Sequence, residues 1–438
     1  MTGVQTCALP IWNRQKYIKV ITEKLKGDLD ALKKTPIVPP NIIPIYVFTA
    51  GDYDPIYPIV SIGDHFAFTS MNTYPVFGSK KIGTPICDYY QVVFYNNMII
   101  QCICDGCGIG HSARTAAVSA CTAAISAVSK DIHTVSTLRE LGSLMISAVA
   151  EAHENIFIAA NRDPDIIIIG STTILLQVVA QQTDGSFAVL TLNIGDSHSY
   201  LYSNGIAKTL YEYNPRLSID DMSDPRGRIG HTNMDYPDLR NAQLRYEVCS
   251  EGDDILCCTD GVNDNWDPEV LHIDVVKQQS ILYIERQVSQ HLAHTPTLSG
   301  AVESICEYII NATAQAREAQ STPQSPTTSS RREKRMLPGK LDHATVAIVK
   351  VQRRTDLDYT FVDSYIPPYN LIINSAVPDT LSLVLKRGKM KREHRKFFVV
   401  NKGIKPRTTS ISRATSTSDS PSPSSTASAS PRSEERRV

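Results

Sequence analysis

The sequence lacks three things that would place it quickly. No apolar run approaches the roughly 18 residues that a bilayer-spanning helix needs, so no membrane span is expected. There is no excess of charge of either sign: a formal net charge of −1 offers no global basic field for nucleic acid and no acidic surplus of a solvating tail. The ten cysteines follow no regular framework spacing. Cys102, Cys104 and Cys107 cluster, and Cys257 and Cys258 fall in an apolar run. That usage suits buried free thiols in a reducing, intracellular setting, cytoplasmic or nuclear. Cys104 and Cys107 form one CxxC, readable as a redox pair or half a thiolate zinc site, but no second CxxC or histidine pair completes it.

What is present is organised around residues 98–111, MIIQCICDGCGIGH. An apolar run ends in Asp105, glycines at 106, 108 and 110 let the backbone turn tightly, and a small-residue helix pattern follows over 112–128. A carboxylate on such a strand-to-helix junction can bind a hard cation through oxygen, or simply stabilise the bend as an Asx turn.

Upstream, 13–40 is polar and Lys-rich with a weak helical pattern through Ile18, Ile21, Leu25, Leu29 and Leu32, and reads as an appendage. Short strands are expected at 42–48 and 66–69. A hairpin is expected from 89–95 through an Asn96-Asn97 turn to Asp105, which brings Asp88 to the same edge as Asp105. Two carboxylates there repel unless a cation lies between them. A second amphipathic helix follows at 137–160, then strands at 166–179, 187–194 and 199–203. Residues 217–239 read as a long surface loop. The strand at 255–258 ends in Thr259-Asp260-Gly261, repeating the Asp105-Gly106 arrangement, with Asp264 four residues on. A helical stretch is expected at 281–312, a Ser/Thr/Pro/Gln-rich disordered insertion after it, and a closing strand within 339–351 headed by Asp342. Consecutive strands, two helices, then strands again argue for mainly antiparallel sheets covered by helices rather than a doubly wound sheet.

Cys87-Asp88, Asp105-Gly106, Gly195-Asp196-Ser197, Thr259-Asp260-Gly261 with Asp264, and Asp342-His343-Ala344-Thr345 follow one another along the chain. This series resembles the PPM-type, or PP2C, metal-dependent protein serine/threonine phosphatases over roughly 46–351. The resemblance implies an α+β fold of two packed, mainly antiparallel sheets flanked by helices, an α/β/β/α sandwich. It implies that Asp88, Asp105, the Gly106 carbonyl, Asp260 and Asp342 hold two Mn²⁺ or Mg²⁺ ions about 4 Å apart, which activate a bridging water for in-line attack on a phosphomonoester. Asp196 and Asp264 match positions that bind a third, looser ion or its waters. Phosphorylated proteins are the implied substrates, with no nucleic-acid partner and a monomeric chain.

The chain also departs from the family pattern. Cys87 replaces the residue that often precedes the first Asp, Cys107 stands where some members carry a histidine, and the phosphate-binding arginine upstream is missing. Lys80 or Lys81 could supply a point charge in its place, though without the bidentate arginine fork. A catalytically inactive pseudophosphatase, serving as a binding or scaffold module, is the alternative. The expected organisation is an appendage at 1–43, a phosphatase domain at 44–352 interrupted by disorder at about 315–338, and a basic, then Ser/Thr/Pro-rich tail at 353–438. Residues 1–12, MTGVQTCALPIW, and the terminal RSEERRV resemble translated adapter sequence.

Overall fold

The computed structural model describes residues 13–354, apart from 33, 43, 51–58, 79, 164, 167, 213–223, 233–235, 277–278 and 322–336. Two short helices, α1 (Asn13–Lys24) and α2 (Lys26–Ala31), precede β1 (Tyr46–Thr49), β2 (Val60–Ile62), β3 (Phe66–Asn72) and a small hairpin of β4 (Val76–Phe77) and β5 (Lys80–Lys81). The hairpin β6 (Tyr89–Phe94) and β7 (Met98–Cys104) leads into α3 (His111–Asp131) and α4 (Leu138–Arg162). A run of strands follows: β8 (Ser171–Thr172), β9 (Ile174–Gln181), β10 (Phe187–Ile194), β11 (His198–Ser203), β12 (Ile206–Thr209), β13 (Ile229–Gly230), β14 (Gln243–Cys249) and β15 (Asp254–Cys258). Then come α5 (Asp260–Asn263), α6 (Ser280–Ala293), α7 (Leu298–Ala312), α8 (Ala314–Ser321) and the closing strand β16 (His343–Lys350).

Two six-stranded sheets form, in the orders β1-β6-β7-β9-β10-β14 and β12-β11-β15-β16-β3-β2. Every pairing within them is antiparallel. Helices α3 and α4 pack on the first sheet, α6 and α7 on the second, giving the α/β/β/α sandwich expected from the order of elements. Strand β7 is buried along its whole length because one face meets α3 and the other meets the second sheet. This double burial explains why its sequence is a continuous apolar run rather than an alternation. The small residues of α3, among them Ala116, Ala117, Ala120 and Ala124, are buried and permit close approach to the sheet.

Between the sheets, Phe48, Phe66, Phe68, Tyr90 and Phe94 make an aromatic cluster with ring centroids 5.1–6.5 Å apart in its stacked, tilted and edge-on pairs. Beside it runs a buried polar chain. Tyr90 OH donates to Gln101 Oε1 at 2.7 Å, Gln101 Nε2 to Gln177 Oε1 at 2.6 Å, and Gln177 Nε2 to Thr191 Oγ1 and Ser199 Oγ. Each amide has a partner, so these fully buried side chains tie the sheets together without an unpaired dipole.

The strand register decides where the site lies. Tyr89 pairs with Cys104, Ile103 with Leu175, Ile194 with Ile174, His198 with Cys258, Cys258 with Val346, and His343 with Asn72. The start of β6, the ends of β7, β10 and β15, and the start of β16 therefore meet at one rim of the sandwich.

Five local expectations change. The N-terminal segment is no appendage in packing terms, because Tyr17, Ile21, Leu25, Leu29 and Leu32 are buried in the main core, with α1 and α2 against α4. The strand expected over 166–179 begins only at Ser171, and the stretch taken as a loop contains β13, which pairs with β8. The helix expected over 281–312 is two helices, separated at Pro296 and restarted by Thr297, whose side chain accepts from Gly300 N–H at 3.1 Å. Helix α8 carries regular structure to Ser321, past the expected start of disorder at about 315, while 322–336 and the tail from 355 onward lie outside the described residues.

Candidate metal centre

Asp88 stands immediately before β6 and is 2% exposed. Its Oδ2 accepts from Thr259 Oγ1 at 2.7 Å, whereas its buried Oδ1 has no hydrogen-bond partner among the described residues. Arg114, from α3, donates to the Asp88 carbonyl at 2.5 Å and lies 4.9 Å over the Tyr89 ring, so this arginine is engaged with the main chain. His343 Nδ1 accepts from Cys87 N–H at 3.3 Å and its Nε2–H donates to the Gly83 carbonyl, which makes this ring a staple of the Asp88 segment rather than an ordinary edge residue. Burial pushes the Asp88 carboxyl up to about 6, against the opposing pull of His343 and the Thr259 hydrogen bond.

Asp105 ends β7. Its N–H donates to Thr173 Oγ1 at 3.1 Å, and its carbonyl accepts from Thr172 Oγ1 at 2.7 Å and Thr173 N–H at 2.9 Å. Gly106 forms an isolated bridge with Thr172. Asp105 keeps some surface open, yet its carboxyl is held well above the usual range by burial first and then by the charges of Asp88, Asp260, Asp342 and Asp196. Asp196 follows β10 in a turn braced by Asn241, which accepts from Gly195 N–H at 3.0 Å and donates to the Gly195 carbonyl at 2.7 Å. Carboxylate oxygens of Asp105, Asp196 and Asp260 lie within 4.8 Å of one another. An all-oxygen donor set of this size, with the unpartnered Asp88 Oδ1 beside it in the structure, suits a hard divalent cation such as Mn²⁺ or Mg²⁺.

Asp260 opens α5 directly after β15. A Cβ on Gly261 would sit 1.9 Å from the His343 carbonyl oxygen, so only glycine lets this turn lie flat against β16. Asp342 Oδ1 accepts from His343 N–H at 2.9 Å and Tyr74 OH at 3.2 Å. Burial raises its carboxyl, opposed by the Lys340 ammonium. Lys340, which sequence reading passed over, ion-pairs with Asp260 and reaches Asp264 and Asp342 at 3.0 Å each. A basic residue two positions before the motif Asp, directly after a glycine, was the available signal. Thr345 N–H donates to Thr259 Oγ1 at 3.0 Å, and that hydroxyl donates to Asp88, so the closing DxxT motif supports the first Asp from a distance.

Asp88, Asp105, Asp260, Asp264 and Asp342 thus share one rim with Asp196. Lys80 and Lys81 form strand β5, paired with Val76–Phe77. A further cation bears on this rim: Arg228, just before β13, is half-buried, its Nε has no hydrogen-bond partner among the described residues, and its charge acts on the Cys107 thiol. Burial still pushes Cys107 up to about 12, so it holds its proton throughout the physiological range. His111 is exposed and pairs with Asp163 at 2.8 Å. The CxxC does not form a pair; instead Cys104 lies 3.8 Å from Cys102, with Cys121 completing a buried cluster whose thiols burial raises well above the ordinary value.

No protein-family profile matches the chain. A PP2C-like domain-containing protein of Drosophila melanogaster is 25% identical over 199 residues, 44% of this chain and 27% of that protein, so the chain spans about a quarter of the relative it matches. Among solved structures, the photosystem II phosphatase PBCP overlaps 66% of this chain and 99% of its own at 13% identity and a TM-score of 0.41. The Mycobacterium tuberculosis serine/threonine phosphatase PstP/Ppp gives the same coverages and identity at 0.38, and the S. agalactiae serine/threonine phosphatase covers 66% and 100% at 14% and 0.41. These overlaps are too loose to transfer a residue's role. No helix among the described residues is long and apolar enough to cross a membrane. Its acidic motifs stand in the order of the PPM-type, PP2C-like, family, and over 199 residues its sequence is similar to a PP2C-like domain-containing protein.

Proposed function

We propose that the chain is a Mn²⁺- or Mg²⁺-dependent phosphomonoesterase acting on phosphoserine or phosphothreonine in proteins. The observation that supports this reading is the meeting of carboxylates from separate strand ends at one rim, with Asp88 Oδ1 buried and unpartnered and three further carboxylates within 4.8 Å of one another. Asp88, Asp105, the Gly106 carbonyl, Asp260 and Asp342 are the proposed ligands, with Asp196 and Asp264 at the margin. The bound ions would supply a nucleophilic water and charge neutralisation for the phosphoryl oxygens. The protein's own contribution is to hold the donors still: Thr259 orients Asp88, Thr172 and Thr173 fix the Asp105 main chain, and Asn241 braces the Asp196 turn. Arg228 joins Lys80 and Lys81 as a candidate counter-charge for substrate phosphate. We take the working unit as 44–352 together with α1 and α2, acting as a monomer inside the cell.

The deciding experiment is hydrolysis of a phosphopeptide by the full chain with Mn²⁺ and with EDTA. Turnover that requires Mn²⁺ supports the proposal, and turnover indifferent to EDTA sinks it. One observation favours a second reading, the pseudophosphatase: an ammonium, that of Lys340, already sits among three of the carboxylates. Weak or absent Mn²⁺ binding by calorimetry, with no turnover, would decide for that reading.

A further inference from the structure

Away from the acidic rim, three sulfurs meet in the layer between β7 and α3. Cys102 and Cys104 lie two residues apart on β7, so strand alternation turns both side chains to one face, and their Sγ atoms are 3.8 Å apart. Cys121, on α3, donates its thiol hydrogen to the Cys102 carbonyl at 3.3 Å, and the three Sγ atoms all lie within 4.8 Å of one another. The small residues Ala117, Ala120 and Ala124, buried beside Cys121 on α3, let the helix come this close to the strand. All three cysteines are fully buried. A metal–thiolate bond is about 2.3 Å long, so three sulfurs in a plane around one ion stand about 4.0 Å apart. The contact between Cys102 and Cys104 is already near that spacing.

We propose that Cys102, Cys104 and Cys121 form a soft-metal site that takes one copper(I) ion, separate from the oxygen-ligated centre at the rim. The donor set decides the class of ion. Among the described residues the group holds three side-chain donors, all of them sulfur. Thiolates select soft ions, whereas Mn²⁺ and Mg²⁺ favour oxygen. Zinc takes four ligands in a closed site, and a fully buried trio leaves no place for solvent to supply the fourth; copper(I) is satisfied by three. The step is a ligand exchange without electron transfer: Cu⁺ forms bonds to sulfur, and each thiol that ligates releases its proton to solvent. Because the sulfurs are enclosed, the ion enters before α3 closes over β7, and loading accompanies folding. Once in place it ties a strand to a helix across the core and stabilises the folded state by mass action.

The test unfolds the full chain in denaturant, refolds it anaerobically with a copper(I)–acetonitrile complex, strips weakly held copper with bathocuproine, and weighs the chain by native mass spectrometry. The expected result for the wild type is one copper per chain and a melting temperature raised by about 5 °C or more. Cys104→Ser and Cys121→Ser, of similar volume, are expected to retain no copper after the chelator and to show no rise. Cys249→Ser and Cys306→Ser, which alter buried thiols elsewhere, should behave as the wild type. Should the cluster variants not refold, X-ray absorption at the copper edge of the loaded wild type decides: three sulfurs at about 2.3 Å support the site, and nitrogen or oxygen ligands overturn it. A wild type that retains no copper, or equal retention in the wild type and the cluster variants, also overturns the inference. Neither Mn²⁺ nor a phosphopeptide enters this experiment, so its failure leaves the rim reading untouched.

Discussion

A carboxylate with one oxygen buried and unpartnered destabilises a fold unless a cation or a proton compensates it, and Asp88 is in that position. Its raised carboxyl records the cost. Replacing Asp88 with Asn removes the charge while an amide can still accept from Thr259. In EDTA the variant is expected to melt higher than the wild type, by about 1–2 kcal/mol of stability. With Mn²⁺ the order reverses, because the wild type gains the ion's binding energy and the variant does not. Paired melts with and without metal check this. Arg228→Ala carries a different expectation: KM for a phosphopeptide rises roughly tenfold while kcat holds within about twofold, the signature of lost ground-state binding. At this scale the sequence was informative wherever a carboxylate followed an apolar strand, because strand ends must emerge at a rim. For Lys340 it offered only the placement of a lysine after Gly339 and two positions before Asp342, since nothing local joins residue 340 to Asp260 and Asp264. It was equally silent on Arg228, which lies where periodicity fails.

At the scale of elements, the helices and the central strands were legible because period 3.6 and continuous apolar runs each have a single cause, burial on one stripe or on two faces. Strand β14 escaped because it is an edge strand with only Leu244 and Cys249 fully buried, so little of its surface constrains its sequence. The N-terminal segment is polar in sequence, yet five of its side chains, three in α1 and α2 and two flanking α2, reach the core, a tertiary fact its weak pattern understates. Leu25→Ala is expected to cost about 2–4 kcal/mol, measured by denaturant unfolding, whereas a true appendage would show almost no change. The α6–α7 layer holds a titrating group of its own. His291, packed against Trp266 and Tyr308 and bonded to Ser304 at 2.9 Å, has its pKa lowered by burial to about 4. Its folded value lies below the unfolded one, so its contribution is intact above about pH 6.5 and is lost as pH falls towards 4. After allowance for its partial exposure this is worth about 2 kcal/mol, and His291→Gln should lose correspondingly less stability between neutral pH and about pH 5.

The whole molecule couples its acidic rim to its stability, and the sign of that coupling can be worked out. Asp88, Asp105 and Asp342 all have carboxyls raised by burial, and in Asp105 its like-charged neighbours add to it. For a group whose folded value lies above the unfolded one, the stabilising contribution is fully present below the unfolded value, near pH 4. It disappears as pH rises through the folded value, about 6 for Asp88, and Asp105, also raised, follows the same sign. Without metal, this rim therefore grows more costly as pH climbs from about 4 through 6. A divalent cation removes that cost by replacing the protons, and its own affinity rises over the same window because it no longer competes with them. The gain in melting temperature on adding Mn²⁺ should accordingly be small at about pH 5 and several degrees larger at about pH 7.5. His291 titrates identically with and without metal, so it cancels in this difference and leaves the carboxylates as the source. Scanning calorimetry of the full chain in matched EDTA and MnCl₂ buffers across that range is the measurement, and a Mn²⁺ gain that stays flat with pH would show that these carboxylates do not hold the ion.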